Sequence, residues 1–243
     1  MHIALSVQFG RDDQLIFCQQ LGVDYALAQV DRCDEQTLIA LKNRVERTGL
    51  RLAGIDRLVL TDLETAQRAV AAAAAASIDL ISCTGIAQPS SEPPQPIGRG
   101  GALSTPYNAP EIALSEEELR ALARTAEDAG VRLAWSGFDA LPGMGFDLSL
   151  DRLGNDPTAA LDALAAPVYI ARARNTQDGN TSFLDEGDVH IPRAIRALQR
   201  SGFSGPLLAH IPLGMAGDTE WGHKARAYDL GYLKAALQAL QVR

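Results

Sequence analysis

Short apolar runs alternate with helical patterns along the whole chain, and this alternation constrains the fold more than any other feature. Eight of the runs have the length of a single β-strand. They are residues 3–7, 25–30, 50–55, 79–83, 131–135, 146–150, 168–171 and 206–210. Most of them are followed by a stretch whose apolar residues recur at helical spacing, as Leu38, Leu41 and Val45 do. The sequence therefore predicts a series of strand–helix units.

The length of these units indicates the architecture. The chain has 243 residues, and division among eight strands gives about 30 residues per unit, a normal length for a strand followed by a helix. The sequence thus predicts an α/β fold with one domain, residues 1–243, that forms a single (β/α)8 TIM barrel. Little room separates strands five and six, so one helix should be reduced or missing. An open doubly wound sheet is the alternative, but no GxGxxG or GxxxxGK(S/T) motif follows any strand.

A segment rich in proline and glycine interrupts the series after the fourth strand. It spans residues 84–113 and contains six prolines and a glycine-rich run at 98–101. A loop of this length inside a compact domain is usually either functional or without fixed structure. Two interpretations stay open, an active-site lid and a disordered insertion.

The net charge and the cysteine content indicate which binding partners and which cellular compartment to expect. The formal net charge is −8, which argues against nucleic acid as the main partner because phosphate backbones bind basic surfaces. No apolar run approaches the roughly 18 residues that a membrane span needs, and residues 1–4 do not resemble a signal peptide. Three cysteines without CxxC spacing predict a reducing, cytoplasmic setting. The sequence leaves open whether the chain forms a homo-oligomer.

Polar residues follow most of the predicted strands, at the end of the barrel where this fold places its chemistry. They are Gln8, Asp31, Asp56, Arg57, Cys83, Thr84, Ser136, Ser149, Asp151, Arg172, Arg174, Asn175 and His210. Carboxylates, cations and an imidazole at one rim suit a small polyhydroxylated or carboxylated ligand.

Three of these residues have a structural interpretation beside the functional one. His210 either transfers protons, as its near-neutral pKa allows, or is a hydrogen-bonded histidine at a strand end. Arg172, if it points inward, needs a counterion, which Asp56 or Asp151 could supply. It is then either a structural ion or an arginine that binds a carboxylate. Cys83 is expected to be a buried, inert thiol.

Several short motifs resemble mannonate dehydratase in their order and spacing. They are Gly10-Arg11-Asp12-Asp13, Leu41-Lys42-Asn43-Arg44-Val45-Glu46, Val131-Arg132-Leu133-Ala134, Ala173-Arg174-Asn175, Asp185-Glu186-Gly187-Asp188-Val189, Ala197-Leu198, Gly202-Phe203-Ser204-Gly205-Pro206, Ala209-His210-Ile211-Pro212 and Gly231-Tyr232-Leu233-Lys234. The resemblance implies a divergent, shortened member of the xylose-isomerase-like TIM barrel superfamily.

The metal ligands of that family are replaced in this chain. The family binds a divalent, manganese-like ion through two histidines, a cysteine and an aspartate at strand ends. The corresponding positions here are Ser136, Ser149, Arg172 and Ala209. Serine and alanine hold such an ion poorly, and an arginine repels it. The resemblance and these replacements together imply a site with no metal and no other cofactor. In the alternative, Asp56, Asp151 and His210 hold a metal ion.

Other functional positions of the family are retained or lie close by. The acid/base histidine is matched by His210, and the glutamate of strand three is matched by Asp56. Trp221 lies near the position of the catalytic tyrosine. A fixed guanidinium at position 172 could bind a carboxylate in a two-pronged fashion and stabilise the enediolate that forms when an adjacent proton is lost.

The resulting hypothesis is a metal-independent sugar-acid lyase. It would dehydrate an aldonate or a related hydroxy acid by removing the proton next to the carboxylate. His210 would move the proton, Arg172 would hold the carboxylate, and Asp56 would be a second acid/base group or the partner of Arg172. The substrate-binding set is Arg174, Asn175, Ser136, Ser149, Gln8 and Trp221. The alternatives are a sugar isomerase or epimerase and a non-catalytic barrel that binds a sugar-derived ligand or a partner enzyme.

Overall fold

Eight parallel strands form a closed barrel in the computed structural model. It describes residues 1–87, 111–137, 139–209, 215 and 217–241, and the strand backbone at 95–97 and 102–104. The barrel strands are β1 (His2–Gln8), β2 (Tyr25–Gln29), β3 (Arg51–Val59), β4 (Leu80–Thr84), β5 (Arg132–Trp135), β6 (Gly145–Ser149), β7 (Val168–Ala173) and β8 (Pro206–Ala209). Each strand pairs with its neighbour in sequence, and β8 closes the barrel against β1. The predicted TIM barrel is confirmed, and the open sheet is wrong.

Helices follow seven of the eight barrel strands. They are α1 (Asp12–Gln20), α2 (Glu35–Arg47), α3 (Leu63–Ala75), α4 (Glu116–Asp128), α5 (Pro157–Asp162), α6 (Ile191–Arg200) and α7 (His223–Gln241), and a 3-10 helix at Leu150–Leu153 precedes α5. The described residues between β5 and β6 contain no helix, as their short spacing predicts. Helix α4 begins with a capping box in which Ser115 and Glu118 bond each other's backbone N–H groups. No helix in the described part of the chain is long and apolar enough to cross a membrane.

Two small β-hairpins stand apart from the barrel sheet. One pairs Gln95–Ile97 with Ala102–Ser104, and the other pairs Asn175–Gln177 with Asn180–Ser182. The first hairpin lies beside the strand Asn180–Ser182 of the second. Most of the segment 84–113 lies outside the described residues, so its role as a lid stays a prediction.

The barrel interior changes from apolar to polar along its axis. Ala4, Leu27, Leu80, Ala134, Ile170 and Leu208, one from each of six strands, form a buried apolar layer. Side chains two residues further along a strand point to the same face. At that level the chain has Ser6, Gln29, Ser82 and Arg172, and so the layer nearer the carboxyl ends of the strands is polar. The larger apolar cluster packs around this barrel.

Strand β3 is longer than its apolar pattern indicates. The apolar run ends at Ile55, but the strand continues through Asp56 and Arg57 to Val59. Its pairing with β4 is irregular between Ile55 and Leu58. Asp56 therefore lies within a strand and inside the barrel, not beyond the strand end as the sequence predicts.

Candidate active site

Arg172 lies at the centre of the polar layer, between two carboxylates. Its Nε and Nη2 atoms donate to the two carboxylate oxygens of Asp147 at 2.8 and 2.6 Å. Nη2 also donates to Asp56 Oδ1 at 2.5 Å and is 3.2 Å from the hydroxyl of Ser82. The Arg172 side chain is 9% exposed, and those of both aspartates are fully buried. Arg172 thus belongs to a buried ionic cluster, which we call the Arg172 cluster: Asp56, Asp147 and Arg172.

Neutral side chains supply the remaining hydrogen bonds of the two carboxylates. Ser6 donates to Asp56 Oδ2 at 2.5 Å, and Gln29 Nε2 lies 3.4 Å from the same oxygen. Ser82 donates to Asp147 Oδ2 at 2.6 Å. Every carboxylate oxygen of the cluster therefore accepts at least one hydrogen bond. This arrangement offsets the desolvation of the charges, because buried ions are stable only when they are paired and hydrogen-bonded.

Electrostatics keep Asp56 and Arg172 ionised. Burial alone would raise the pKa of Asp56, but the charge and hydrogen bond of Arg172 outweigh it and hold that pKa well below its ordinary value. Burial alone would lower the pKa of Arg172, but the charges of Asp147 and Asp56 raise it above its ordinary value. Counted by formal charge, two carboxylates face one guanidinium, and the cluster has a formal net charge of −1.

One part of the guanidinium remains available to a ligand. The hydrogen bonds of Arg172 all come from Nε and Nη2, and Nη1 donates to no residue in the described ranges. Nη1 is also not sealed from solvent. The two carboxylates thus fix the plane of the guanidinium and leave two N–H donors on its third nitrogen.

A second group of polar side chains lies at the ends of β6 and β7. Arg174 Nε is 3.6 Å from Asp151 Oδ2, and their side chains are 8% and 12% exposed. The hydroxyl of Ser149 and Asp151 Oδ1 are buried and accept or donate no hydrogen bond within the part of the chain that the structure describes. Because buried polar atoms are normally satisfied, these two oxygens are candidate contacts for a ligand.

Two further residues that the sequence singles out, Asn175 and Cys83, are fully buried. Asn175 is fully buried, and its amide nitrogen donates to the carbonyls of Leu184 and Val189, both at 2.9 Å. Its amide oxygen accepts from the N–H of Val189 at 3.0 Å. The side chain therefore holds the loop after the second hairpin, and its binding role stays a prediction. Cys83 is fully buried, and burial raises its pKa, as expected of an inert thiol.

The other predicted binding residues lie nearer the rim. Gln8 is exposed, and its backbone N–H donates to Gln14 Oε1 at 2.7 Å. Ser136 is partly buried, and its carbonyl accepts from Arg152 Nη2 at 3.0 Å. Trp221 is partly buried beside α7. His210 lies outside the described residues, so its catalytic role stays a prediction.

Sequence reasoning missed Asp147 and named Asp151 instead. Asp151 pairs with Arg174, whereas Asp147 and Asp56 both pair with Arg172. Asp147 lies in the middle of β6, so a search of the residues at strand ends did not include it. The sequence signal that could have found Asp147 is a carboxylate within an apolar strand, on the same face as Ser149. A carboxylate in such a place needs a buried cation to balance its charge.

The Arg172 cluster and the residues around it do not fit a divalent metal ion at the position that the resemblance indicates. The guanidinium of Arg172 fills the space between the carboxylates of Asp56 and Asp147, which are already hydrogen-bonded. Ser136, Ser149 and Ala209 add no strong ligand. No group of three or more His, Cys, Asp or Glu side chains within the described ranges could hold a metal ion. Of the alternative set, Asp56 and Asp151 pair with different arginines, and His210 is not among the described residues.

Comparisons with known proteins show the fold of the chain. No protein-family model matches the sequence, and no curated protein matches it significantly. The structure of mannonate dehydratase from Streptococcus suis serotype 2 is similar with a TM-score of 0.76 and 16% identity, over 98% of this chain and 95% of that one. A xylose isomerase domain protein from Planctomyces limnophilus gives 0.70 and 14%, over 98% and 96%.

A third similar structure is an L-ribulose 3-epimerase, with a TM-score of 0.64 and 13% identity over 99% of this chain and 95% of that one. Structural similarity at sequence identities this low shows the architecture alone, so the chemistry has to be argued from the residues of the site. The chain has the fold of the xylose-isomerase-like TIM barrels.

Proposed function

We propose that the protein is an enzyme that acts on a small polyhydroxylated compound by moving a proton next to a carbonyl or carboxylate carbon. The favoured reaction is dehydration of an aldonate or related hydroxy acid, as in mannonate dehydratase. The proton on C2 and the hydroxyl on C3 leave as water, and the enol that forms becomes a 2-keto-3-deoxy acid. No metal ion takes part in the proposed site.

The observation that carries this proposal is the fixed guanidinium of Arg172. Two carboxylates orient it, and its Nη1 atom retains two donors. A donor that is already oriented stabilises negative charge that develops on a ligand oxygen without having to reorganise. Removal of a proton beside a carboxylate creates such charge, in the form of an enediolate. The chain therefore supplies a cation where this reaction needs one.

The structure supports a positioning role for Asp56. Both of its oxygens accept hydrogen bonds, from Arg172, Ser6 and Gln29. A carboxylate held below its usual pKa by an arginine is a weak base, so it suits the orientation of Arg172 better than proton transfer. Proton transfer then rests on His210.

A sugar epimerase is the second candidate, and the net charge of the Arg172 cluster favours it. A cluster of net charge −1 accepts hydroxyl groups more readily than a carboxylate, which it repels in part. An epimerase removes a proton from a neutral sugar and returns it on the opposite face. One of the similar structures is an L-ribulose 3-epimerase and another is a D-psicose 3-epimerase.

Product analysis with C5 and C6 aldonates and 2-ketoses tests the proposal. A lyase converts an aldonate to its 2-keto-3-deoxy acid, and an epimerase converts a ketose to its C3 epimer. Arg172→Lys keeps a cation between the carboxylates but loses the fork of donors, so its kcat should fall about 100-fold. Arg51→Gln changes an arginine at the opposite end of the barrel and should retain full activity. Absence of both products with every compound would reject an enzymatic role and leave the non-catalytic binding barrel.

A further inference from the structure

The loop that follows the second hairpin, residues 183–189, is held on α7 by two consecutive residues. The backbone N–H of Leu184 donates to Asp229 Oδ1 at 3.2 Å. The ring of Phe183 packs edge-on against the ring of Tyr228, with 5.1 Å between the ring centroids. Because Tyr228 and Asp229 are neighbours in the helix, both contacts form or break at one place on α7.

Leu184 also connects this loop to the strand that carries Arg172. Its carbonyl accepts from the side-chain amide of Asn175 at 2.9 Å, while its N–H donates to Asp229. Asn175 further donates to the carbonyl of Val189 at 2.9 Å and accepts the N–H of Val189 at 3.0 Å. A chain of hydrogen bonds thus runs from α7 through the loop to the residues that follow β7, beside the end of the barrel where Arg172 lies.

The carboxyl group of Asp229 lacks the partners that a buried charge needs. It is fully buried, and its Oδ2 makes no hydrogen bond within the described ranges. No cation in that part of the chain pairs with it. The titratable groups that face it are Asp185, adjacent to Leu184, with Glu186 in the same loop, and Tyr232, one turn further along α7. An uncompensated carboxylate in such a place is strongly disfavoured, so the group keeps its proton while it stays buried.

The proton of Asp229 is therefore linked to the position of the loop. Burial raises the pKa of Asp229 to about 7, and the charges of Asp185 and Glu186 add to the increase. The hydrogen bond from Leu184 acts in the opposite direction. In water the same carboxyl group has its ordinary, lower pKa. Loss of the proton thus favours an arrangement in which Asp229 is hydrated.

We propose that Asp229 is a pH-dependent latch, whose protonated carboxyl group keeps the loop 183–189 on α7 and whose ionised form favours release of the loop. The proton passes to solvent as the carboxylate becomes hydrated. The contacts of Phe183 and Leu184 with α7 are then lost together, and the hold of the loop on Asn175 is weakened beside β7. The latch goes beyond the proposed function and does not depend on which reaction the barrel catalyses.

Exchange of the Leu184 amide proton for deuterium, followed by NMR, tests the latch without any turnover. Division of the measured rate by that of an unstructured peptide at the same pH gives the fraction of molecules in which the loop is open. In the wild type this fraction should rise about tenfold per pH unit between about pH 4 and 7 and then level off. Asp229→Asn keeps an oxygen acceptor for the Leu184 N–H and does not titrate, so its open fraction should stay constant. Asp188→Asn makes the same exchange at an exposed aspartate of the loop and should keep the wild-type curve.

The amide of Leu208 in β8 separates release of the loop from unfolding of the barrel. Equal open fractions at Leu184 and Leu208 at every pH would overturn the latch, because the loop would then open only with the whole domain. A wild-type open fraction that does not depend on pH, or the same dependence in Asp229→Asn, would overturn it as well. If Asp229→Asn does not fold, Asp185→Asn removes one neighbouring charge and should make the wild-type curve level off at a lower pH; an unchanged curve would count against the latch.

Failure of the latch and failure of the proposed function are distinguishable. A protein that opens this loop as the pH rises and converts no sugar keeps the latch and loses the reaction. A protein that converts an aldonate or a ketose while Leu184 exchanges only with the whole barrel keeps the reaction and loses the latch.

Discussion

At the scale of residues, the charge balance of the Arg172 cluster explains both its stability and its chemistry. One guanidinium holds two carboxylates, and Ser6, Gln29 and Ser82 supply the further donors that the carboxylates need. Removal of one member of the cluster should lower the free energy of unfolding, because the other charges would stay buried without a partner. The same contacts fix the orientation of the guanidinium, on which the proposed role of Nη1 depends.

Removal of the arginine should therefore destabilise the protein strongly. In Arg172→Ala, two buried carboxylates lose their cation, and the free energy of unfolding should fall by about 3–5 kcal/mol. Arg51→Ala removes an exposed arginine that contacts Tyr25, and should change it by less than about 1 kcal/mol. Denaturant unfolding measures both values. A loss below about 1 kcal/mol in Arg172→Ala would show that the carboxylates do not depend on this cation.

A buried carboxyl group in α7 should make stability depend on pH. Asp229 is fully buried, and its Oδ1 accepts the N–H of Leu184 at 3.2 Å. Burial, together with the charges of Asp185 and Glu186, raises its pKa from 3.8 to about 7. The folded protein keeps this proton after the unfolded chain has lost it, so stability should fall as the pH rises from about 4 to 7, by about 4 kcal/mol in all.

Asp229→Asn tests this dependence. The amide does not titrate, so the variant should lose most of the decline in unfolding free energy between pH 4 and 7. The low pKa of Asp56 does not interfere, since its stabilisation is lost only as the pH falls through and below about 4. Equal pH dependence in the wild type and the variant would contradict a buried, protonated Asp229.

The residues of the site could be predicted from sequence only in part. The rule that a buried arginine needs a counterion led to Asp56 or Asp151 as the partner of Arg172; Asp56 is a partner, whereas Asp151 pairs with Arg174. It did not lead to Asp147, because an isolated aspartate within an apolar strand looks like an interruption of that strand. The direct contact of Asp56 with Arg172 was also not expected across the width of the mouth. The long arginine side chain reaches it because both residues point into the same narrow interior.

At the scale of elements, spacing was the most reliable signal. The distance between the fifth and sixth apolar runs correctly predicted a helix that is reduced or missing, and the described residues there contain none. The predicted length of β3 was wrong, because its polar continuation at Asp56 and Arg57 breaks the apolar pattern on which the prediction depends. The two strand pairs, 95–97 with 102–104 and 175–177 with 180–182, depend on backbone pairing that the apolar pattern does not encode.

The path of β3 depends on close contact with β4 at Gly54. A Cβ atom at Gly54 would lie 2.5 Å from the carbonyl oxygen of Leu80, which is backbone and cannot move without disturbing the pairing. Gly54→Ala should lower the free energy of unfolding by at least about 2 kcal/mol. It should also weaken the Arg172 cluster, since Asp56 is two residues further along the strand.

Gly231→Ala is the matched control. Nothing lies within 4 Å of a Cβ at Gly231, in the interior of α7, so this exchange should raise the free energy of unfolding by about 0.5–1 kcal/mol. Thermal or denaturant unfolding of the two variants should thus give changes of opposite sign. Changes of equal size and sign would mean that the contact between β3 and β4 does not limit the residue at position 54.

At the scale of the whole molecule, the strand–helix repeat was sufficient to predict the closed barrel and which end of it is polar. Every strand is followed by the next one in space, so no long-range pairing had to be guessed. The chemistry was harder to predict because this fold supports many reactions through different side chains at the same strand ends. The resemblance implies that Arg172 stands where mannonate dehydratase has a metal ligand, and we expect this arginine to separate the chemistry of the two sites.

Deuterium incorporation followed by NMR in D2O tests the central claim most directly, because it detects proton removal in either a lyase or an epimerase. Aldonates and 2-ketoses would be incubated with the wild type, His210→Gln and Arg51→Gln. We predict exchange at the carbon next to the carboxylate or carbonyl of one compound class. His210→Gln should slow it about 100-fold, and Arg51→Gln should leave it unchanged. Exchange at the buffer rate with every compound, or at the wild-type rate in His210→Gln, would contradict the proposed proton transfer at the mouth of the barrel.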